Sequence, residues 1–161
     1  MPVKTADLCD AYAAELRVFE PLFSNFGGLP QFHGRAVTLK VFEDNTLVRA
    51  ALEQPGQGQV LVVDGGGSLR CALVGDQLAV LGLHNGWAGL IVHGCVRDCA
   101  ALAELELGIQ ALASHPLRSV KRNEGTAGIP VQMAGVWVSP GDMVYADDDG
   151  IVVASRALVE A

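Results

Sequence analysis

Within "VHGCVRDCAAL" an arginine and an aspartate stand side by side, Arg97 and Asp98, between an apolar run and a helix-like run. Two readings fit the pair. In the first, Asp98 caps a helix expected over residues 99–107 and Arg97 is an exposed loop residue. In the second, the pair does chemistry at the C-terminal end of a buried parallel strand, the edge where open α/β sheets bind ligands. A guanidinium there offers a planar fork to a carboxylate. A single carboxylate can hold a hard divalent cation that keeps most of its waters. An anionic, oxygen-rich substrate would then bridge the two.

A second candidate is "GDQL", Gly75, Asp76, Gln77 and Leu78, at the expected start of another helix. Unpaired N–H groups and the positive end of the helix dipole suit such a start to a carboxylate. Every helix start shares that property, so the stretch does not stand alone. The remaining candidates point to structure. His33, His84, His93 and His115 are scattered, with His93 the one expected near the Arg-Asp pair. "ADDDG" (146–150) has the composition of a calcium loop without its distal Glu and reads as a polar hairpin turn. Gly65, Gly66 and Gly67 follow a strand, but no GxGxxG or GxxxxGK[ST] pattern makes them a nucleotide loop. No Gly-x-Ser-x-Gly is present to suggest a nucleophilic serine. Cys95 and Cys99 have no second Cys/His pair at metal-ligand spacing.

The elements that must position these residues can be read from apolar patterning. "TADLCDAYAAEL" reads as a short amphipathic helix with Thr5 as N-cap, and "LFSNFGGLPQFHG" as loop. "RAVTLKVF" alternates and is rich in β-branched residues, so it reads as a strand. "DNTLVRAALEQ" reads as a helix capped by Asp44 or Asn45. "QVLVVD" and "WAGLIVHG" are continuous apolar runs, the mark of strands buried on both faces. "GDQLAVLGLHNG" and "RDCAALAELE" are the helices that follow. This alternation predicts βαβ units around a parallel sheet. After residue 107 the pattern changes to "GIQALAS" and two or three short strands with Gly/Pro/Asp turns, hence a mixed sheet. "RSVKR" (118–122) reads as a solvated loop.

At 161 residues, with half of them hydrophobic and 18% charged, the chain is expected to fold as one domain, 1–161. The net charge of −7 disfavours direct binding of nucleic acid. No apolar core of signal-peptide length opens the chain, and no run approaches the ~20 apolar residues of a membrane span. The four cysteines sit among apolar neighbours, as reduced thiols do. A cytoplasmic protein is the expectation.

Five stretches, "LCDAY", "EPLFSNFGG", "VFEDN", "QVLVVDGGGSLRCALVGDQLA" and "PGDMVYADDDGIVV", together resemble the family of the regulator of ribonuclease E activity A (RraA). The resemblance covers nearly the whole chain. That family also contains the class II 4-hydroxy-4-methyl-2-oxoglutarate aldolases, which decarboxylate oxaloacetate as well. Its aldolase members share an Asp, twenty intervening residues and an Arg-Asp pair; Asp76 with Arg97 and Asp98 meets that spacing. The resemblance implies that Asp98 binds a divalent cation, Mg²⁺ or Mn²⁺, and that Arg97 binds the substrate's carboxylate or keto oxygen. It implies that Gly75, Asp76, Gln77 and Leu78 supply contacts to the substrate. The implied activity is a lyase reaction giving pyruvate from 2-keto acids through an enolate; the alternative is a regulator that docks on ribonuclease E. Also implied are a swivelling ββα-type α/β sandwich and a homotrimer with its site near a subunit interface. Longer aldolases carry a C-terminal extension, and the chain, ending at Ala161, is expected to lack it. No Schiff base is expected from Lys4, Lys40 or Lys121.

Overall fold

In the computed structural model, which describes residues 3–159, helix α1 (Thr5–Tyr12) and one 3₁₀ turn (Ala13–Glu15) lead into β1 (Leu16–Val18). Met1, Pro2, Glu160 and Ala161, the ends of the expected domain, lie outside the described residues. Next come β2 (Ser24–Asn25), β3 (Phe32–Lys40), α2 (Thr46–Leu52), β4 (Val60–Asp64), β5 (Ala72–Val74), α3 (Asp76–His84), β6 (Gly89–Val96) and α4 (Cys99–Leu102). The chain continues through β7 (Gly108–Ser114), β8 (Thr126–Ala127), β9 (Val131–Met133), β10 (Val136–Val138), β11 (Met143–Asp147) and β12 (Gly150–Ala154).

One long strand joins two kinds of sheet. Phe32–Arg35 of β3 pair antiparallel with β11, whereas Ala36–Lys40 pair parallel with β4. The parallel part runs on through β6 to β7, and β5 adds to the C-terminal end of β6. The antiparallel part runs through the β11–β12 hairpin to β1. This is the mixed α/β fold expected from the strand–helix alternation and the late run of short strands.

The apolar patterns explain the layers. Every residue of β4 is buried, because both faces of the sheet are covered. Leu61, Val63, Leu90 and Val92 face Val48, Leu52, Leu78, Ala79 and Leu102 of the helices. Val60, Val62 and Ile91 face the other way, onto Val131, Val136, Val138, Val144 and Val153. Each such side chain contributes about 1.5–3 kcal/mol on burial. Phe32 lies across two glycines of this layer: a Cβ on Gly89 or Gly108 would sit 2.3 or 2.0 Å from its ring carbons. No helix of the described residues is long and apolar enough to cross a membrane.

Three local expectations are corrected. Thr5 is not the N-cap of α1, since Lys4 holds that position. The Thr5 hydroxyl and N–H instead donate to the buried carboxylate of Asp147, both at 2.7 Å, which ties α1 to the β11–β12 turn. The helix expected over 99–107 stops at Leu102. Its would-be continuation gives the Leu105 and Leu107 carbonyls to the N–H groups of Gly28 and Leu29, at 2.8 and 3.4 Å. Finally, the two or three short strands expected in 128–155 are four, β9 to β12.

Candidate active site

The end of β5 and the end of β6 lie side by side, and this brings the two sequence candidates together. The Arg97 N–H bonds the Val74 carbonyl at 2.9 Å, which sets the Arg-Asp pair over the start of α3. Asp98 occupies the cap position of α4 but makes no capping hydrogen bond there; its backbone is left-handed, φ 62° and ψ 42°. Its Oδ2 instead accepts the N–H of Asp76 at 3.0 Å. The carboxylate therefore caps the neighbouring helix α3, where a negative charge meets the positive end of the dipole. Intrahelical bonding in α3 begins with the Ala79 N–H to the Gly75 carbonyl, so Gln77 and Leu78 keep the N–H groups typical of a free helix start.

Gly75 makes this approach possible. A Cβ built there would lie 2.7 Å from Asp98 Oδ2 and 3.4 Å from both Cγ and Nε of Arg97. Its own backbone is extended, φ −121° and ψ −168°, so the requirement is for space and not for an unusual conformation. Arg97 is half-buried and Asp98 is exposed. The Arg97 Nη1 contacts the Pro116 carbonyl at 3.4 Å, a long hydrogen bond that leaves most of its fork free.

These groups line a cavity of about 150 Å³. Gly75, Asp76, Gln77, Leu78, Arg97 and Asp98 line it, together with Asn45, Arg49, Arg118 and Lys121. Four cations and two carboxylates thus share one cleft in a chain whose net charge is −7. Such a cleft attracts small anions. Its size is about that of a cavity that accommodates benzene.

Asn45, expected only as a cap, Arg118 and Lys121, expected only in a solvated loop, and Arg49 were not among the expected site residues, and "RSVKR" is more than a solvated loop. Asp44 holds that loop against α2. Its Oδ1 accepts the N–H and hydroxyl of Thr46, and its Oδ2 accepts the N–H groups of Arg122 and Glu124 at 2.8 and 3.1 Å. Burial pushes the Asp44 pKa up, but these hydrogen bonds outweigh it and leave it at about 2. Asn45, at the formal cap position, turns its Nδ2 to the Leu73 carbonyl at 2.9 Å. The one signal in sequence was Asp44 with Asn45, which read as a simple cap.

His93 is not at the site. It lies 3.8 Å from Asp64 and packs beside Phe23, ring centroids 6.1 Å apart. The histidine beside Arg97 and Asp98 is His115, whose Nδ1 accepts the Leu117 N–H at 3.1 Å. "ADDDG" is the expected hairpin turn, with Asp147 buried as the anchor of α1. The four cysteines are free thiols, and burial pushes the pKa values of Cys71 and Cys95 up.

A divalent cation fits this donor set in one way. Among the described residues no three His, Cys, Asp or Glu side chains gather into a cage. Asp98 spends Oδ2 on the Asp76 N–H, its carboxylate makes no other hydrogen bond among the described residues, and it lines the cleft. That is how Mg²⁺ is commonly bound, through one or two carboxylates with waters and substrate oxygens completing its shell.

The RraA-like family model, Aldolase/RraA, matches residues 5–153. The chain belongs to the RraA-like family. A relative from Alkalilimnicola ehrlichii, named "Putative 4-hydroxy-4-methyl-2-oxoglutarate aldolase", is 58% identical over 161 residues, all of both chains. One of the same name from Aromatoleum aromaticum is 57% identical over 159 residues, 99% of this chain and all of that one. Among solved structures of similar fold, the RNA-processing inhibitor RraA from Thermus thermophilis is 46% identical with a TM-score of 0.94, covering 100% of this chain and 99% of that one. A Geobacillus kaustophilus structure described as an S-adenosylmethionine: 2-dimethylmenaquinone methyltransferase is 47% identical with a TM-score of 0.95, covering 97% of each chain. One fold in this family thus carries three functional names, so the site has to decide among them.

Proposed function

We propose that the protein is a divalent-metal-dependent carbon–carbon lyase that gives pyruvate from 2-keto acids, 4-hydroxy-4-methyl-2-oxoglutarate by aldol cleavage and oxaloacetate by decarboxylation. The observation that carries this reading is the convergence of Asp98, Arg97 and the free start of α3 around Gly75. The names of the two aldolase relatives agree with it. The cavity, about 150 Å³, accommodates a small keto acid.

Each residue has a role. Asp98 would hold the cation, Mg²⁺ or Mn²⁺. When bound, that cation supplies Lewis-acid polarisation of the keto oxygen. Arg97 grips the substrate's carboxylate and places a positive charge where enolate charge develops as the carbon–carbon bond breaks. The N–H groups of Gln77 and Leu78 take a further carboxylate oxygen, and Asp76 fixes Asp98 through its own N–H. Gly75 leaves the room in which this happens. A water carries the proton to the enolate carbon. The test is pyruvate formation from each substrate with Mg²⁺ or Mn²⁺ and after chelation. Activity unaffected by EDTA contradicts the reading.

A second reading rests on the 46% identity to the Thermus RraA and the net charge of −7. In it, the acidic surface docks on basic segments of ribonuclease E. Retention of the protein on immobilised ribonuclease E at low salt, lost at moderate salt, is expected; no retention at low salt refutes it. A cleft and an outer surface can serve both functions. Leu69, Leu117 and Val120 are exposed apolar residues on the two loops beside the cleft, consistent with a homotrimer whose interface borders the site. Sedimentation at three times the monomer mass is expected, and a monomer at micromolar concentration contradicts it.

A further inference from the structure

Gln110 is a polar side chain in an apolar layer. Its neighbours along β7, Ile109 and Ala111, pack on the helix side of the sheet, so strand alternation turns Gln110 to the other side, beside Ile91 of β6. Its backbone is committed to the ladders with β6 and β2, and the residue is only 4% exposed. The carboxamide makes no hydrogen bond with the described residues and opens into a second cavity, of about 420 Å³. A buried amide without a partner costs free energy, so the cavity is where its partner comes from. Phe19 and Phe23, ring centroids 5.5 Å apart, give this cavity an aromatic lining. Glu20, Asp148 and Asp149 bring carboxylates to it, none in an ion pair with a described cation, and no described Lys, Arg or His lines it. The cavity shares no lining residue with the cleft at Asp98.

We propose that this second cavity binds a guanidinium group carried on an alkyl stem. Three features select that chemistry. The carboxylates call for a cation. Among the described residues they do not gather into a metal cage, so the fit is to an extended organic cation and not to a bare metal ion. The amide oxygen of Gln110 can accept one N–H of a planar fork whose remaining donors serve the carboxylates. The phenylalanine rings suit the face of the same fork and the apolar stem behind it. An ammonium is a more strongly hydrated point charge and gains less from those rings. The guanidinium comes either from a small molecule or from an arginine of another chain, and its chemistry at Gln110 is the same. The site does not depend on the reaction proposed at Asp98.

The test is calorimetric titration of the whole protein with butylguanidinium, with N-acetylarginine amide, and with N-acetylcitrulline amide, which keeps the shape without the charge. Millimolar or tighter binding of a guanidinium probe is expected, with the citrulline amide at least about tenfold weaker. The tighter of the two guanidinium probes names the source, butylguanidinium a small molecule and the arginine amide another chain. Gln110→Leu is expected to weaken that probe about tenfold. It is also expected to unfold at or above the wild-type temperature, because exchanging an unpartnered amide for an apolar side chain is neutral or stabilising. Asp148→Asn with Asp149→Asn, both exposed, is expected to fold as wild type, weaken binding about threefold and reduce its salt dependence. If Gln110→Leu unfolds several degrees lower, the amide is bonded within the fold and the site is overturned. Equal binding of the arginine and citrulline amides, no binding of either guanidinium probe, or unchanged affinity in both variants would overturn it as well.

Discussion

Replacing Gly75 by alanine separates the geometry of the cleft from the stability of the fold. The new Cβ would stand 2.7 Å from Asp98 Oδ2, where ordinary contact begins at 3.4 Å. The carboxylate must therefore retreat by 3.4 − 2.7, or 0.7 Å, and Arg97 is already at the contact limit. The backbone resists little, because φ −121° and ψ −168° suit alanine. Asp98 is exposed and its carboxylate is a side-chain end, so it can move aside, losing the 3.0 Å bond to Asp76. Loss of such a cap costs about 0.5–2 kcal/mol of stability. Catalysis is more sensitive, since a misplacement near 1 Å can cost about 10²-fold. The expected result is a fall in kcat/KM for pyruvate formation on the order of 10–100-fold, with thermal unfolding lowered by only a few degrees. Activity within about twofold of wild type in a normally folded Gly75→Ala protein would refute the role given to this close approach.

Other consequences follow from the same contacts. Arg97→Lys keeps the charge but not the fork, so KM for oxaloacetate should rise about tenfold while metal affinity measured by calorimetry stays unchanged; a loss of metal binding would contradict the division of roles. Asp44, lowered from 3.8 to about 2 by its hydrogen bonds, is buried at 1% exposure. Its contribution, roughly 2 kcal/mol, is complete above about pH 5 and lost as pH falls toward 2, and Asp44→Asn should flatten that acid limb in denaturant titrations. Thr5→Val removes the hydroxyl from the buried Asp147 carboxylate. It should cost about 1–3 kcal/mol and speed hydrogen exchange in α1 before the rest of the chain, whereas uniform exchange would show that α1 is not separately anchored.

Much of the scaffold can be read from patterning, because each parallel strand announces itself. The run at 60–64 is apolar throughout and is buried on both faces. The strand read at 35–42 is the half of β3 that pairs parallel with β4, whereas the half that pairs with β11, Phe32–Arg35, begins in a stretch that read as loop. Gly75–Leu78 and Arg97-Asp98 are legible as candidates for the same reason: each ends a recognisable strand. What Asp98 does is not legible locally. Its pattern says cap, and it is one, but for a helix starting 22 residues earlier in sequence. Arg49 was hidden because an exposed cation has no periodicity, and Arg118 and Lys121 because a carboxylate contact across 78 and 80 residues brings their loop to the cleft. The helix after Asp98 was overextended for a related reason. Its later carbonyls are claimed by a loop at 28–29, which helix propensity within the segment does not register.

The most direct measurement compares wild type with Asp98→Ala for pyruvate formation from oxaloacetate in Mg²⁺, against the rate of the metal alone. The account predicts a wild-type rate well above that background and a variant that falls to it, while both proteins unfold within a few degrees of each other. Equal rates for the two proteins above the metal-only background would contradict the assignment of Asp98 as the cation's ligand, and with it the proposed lyase.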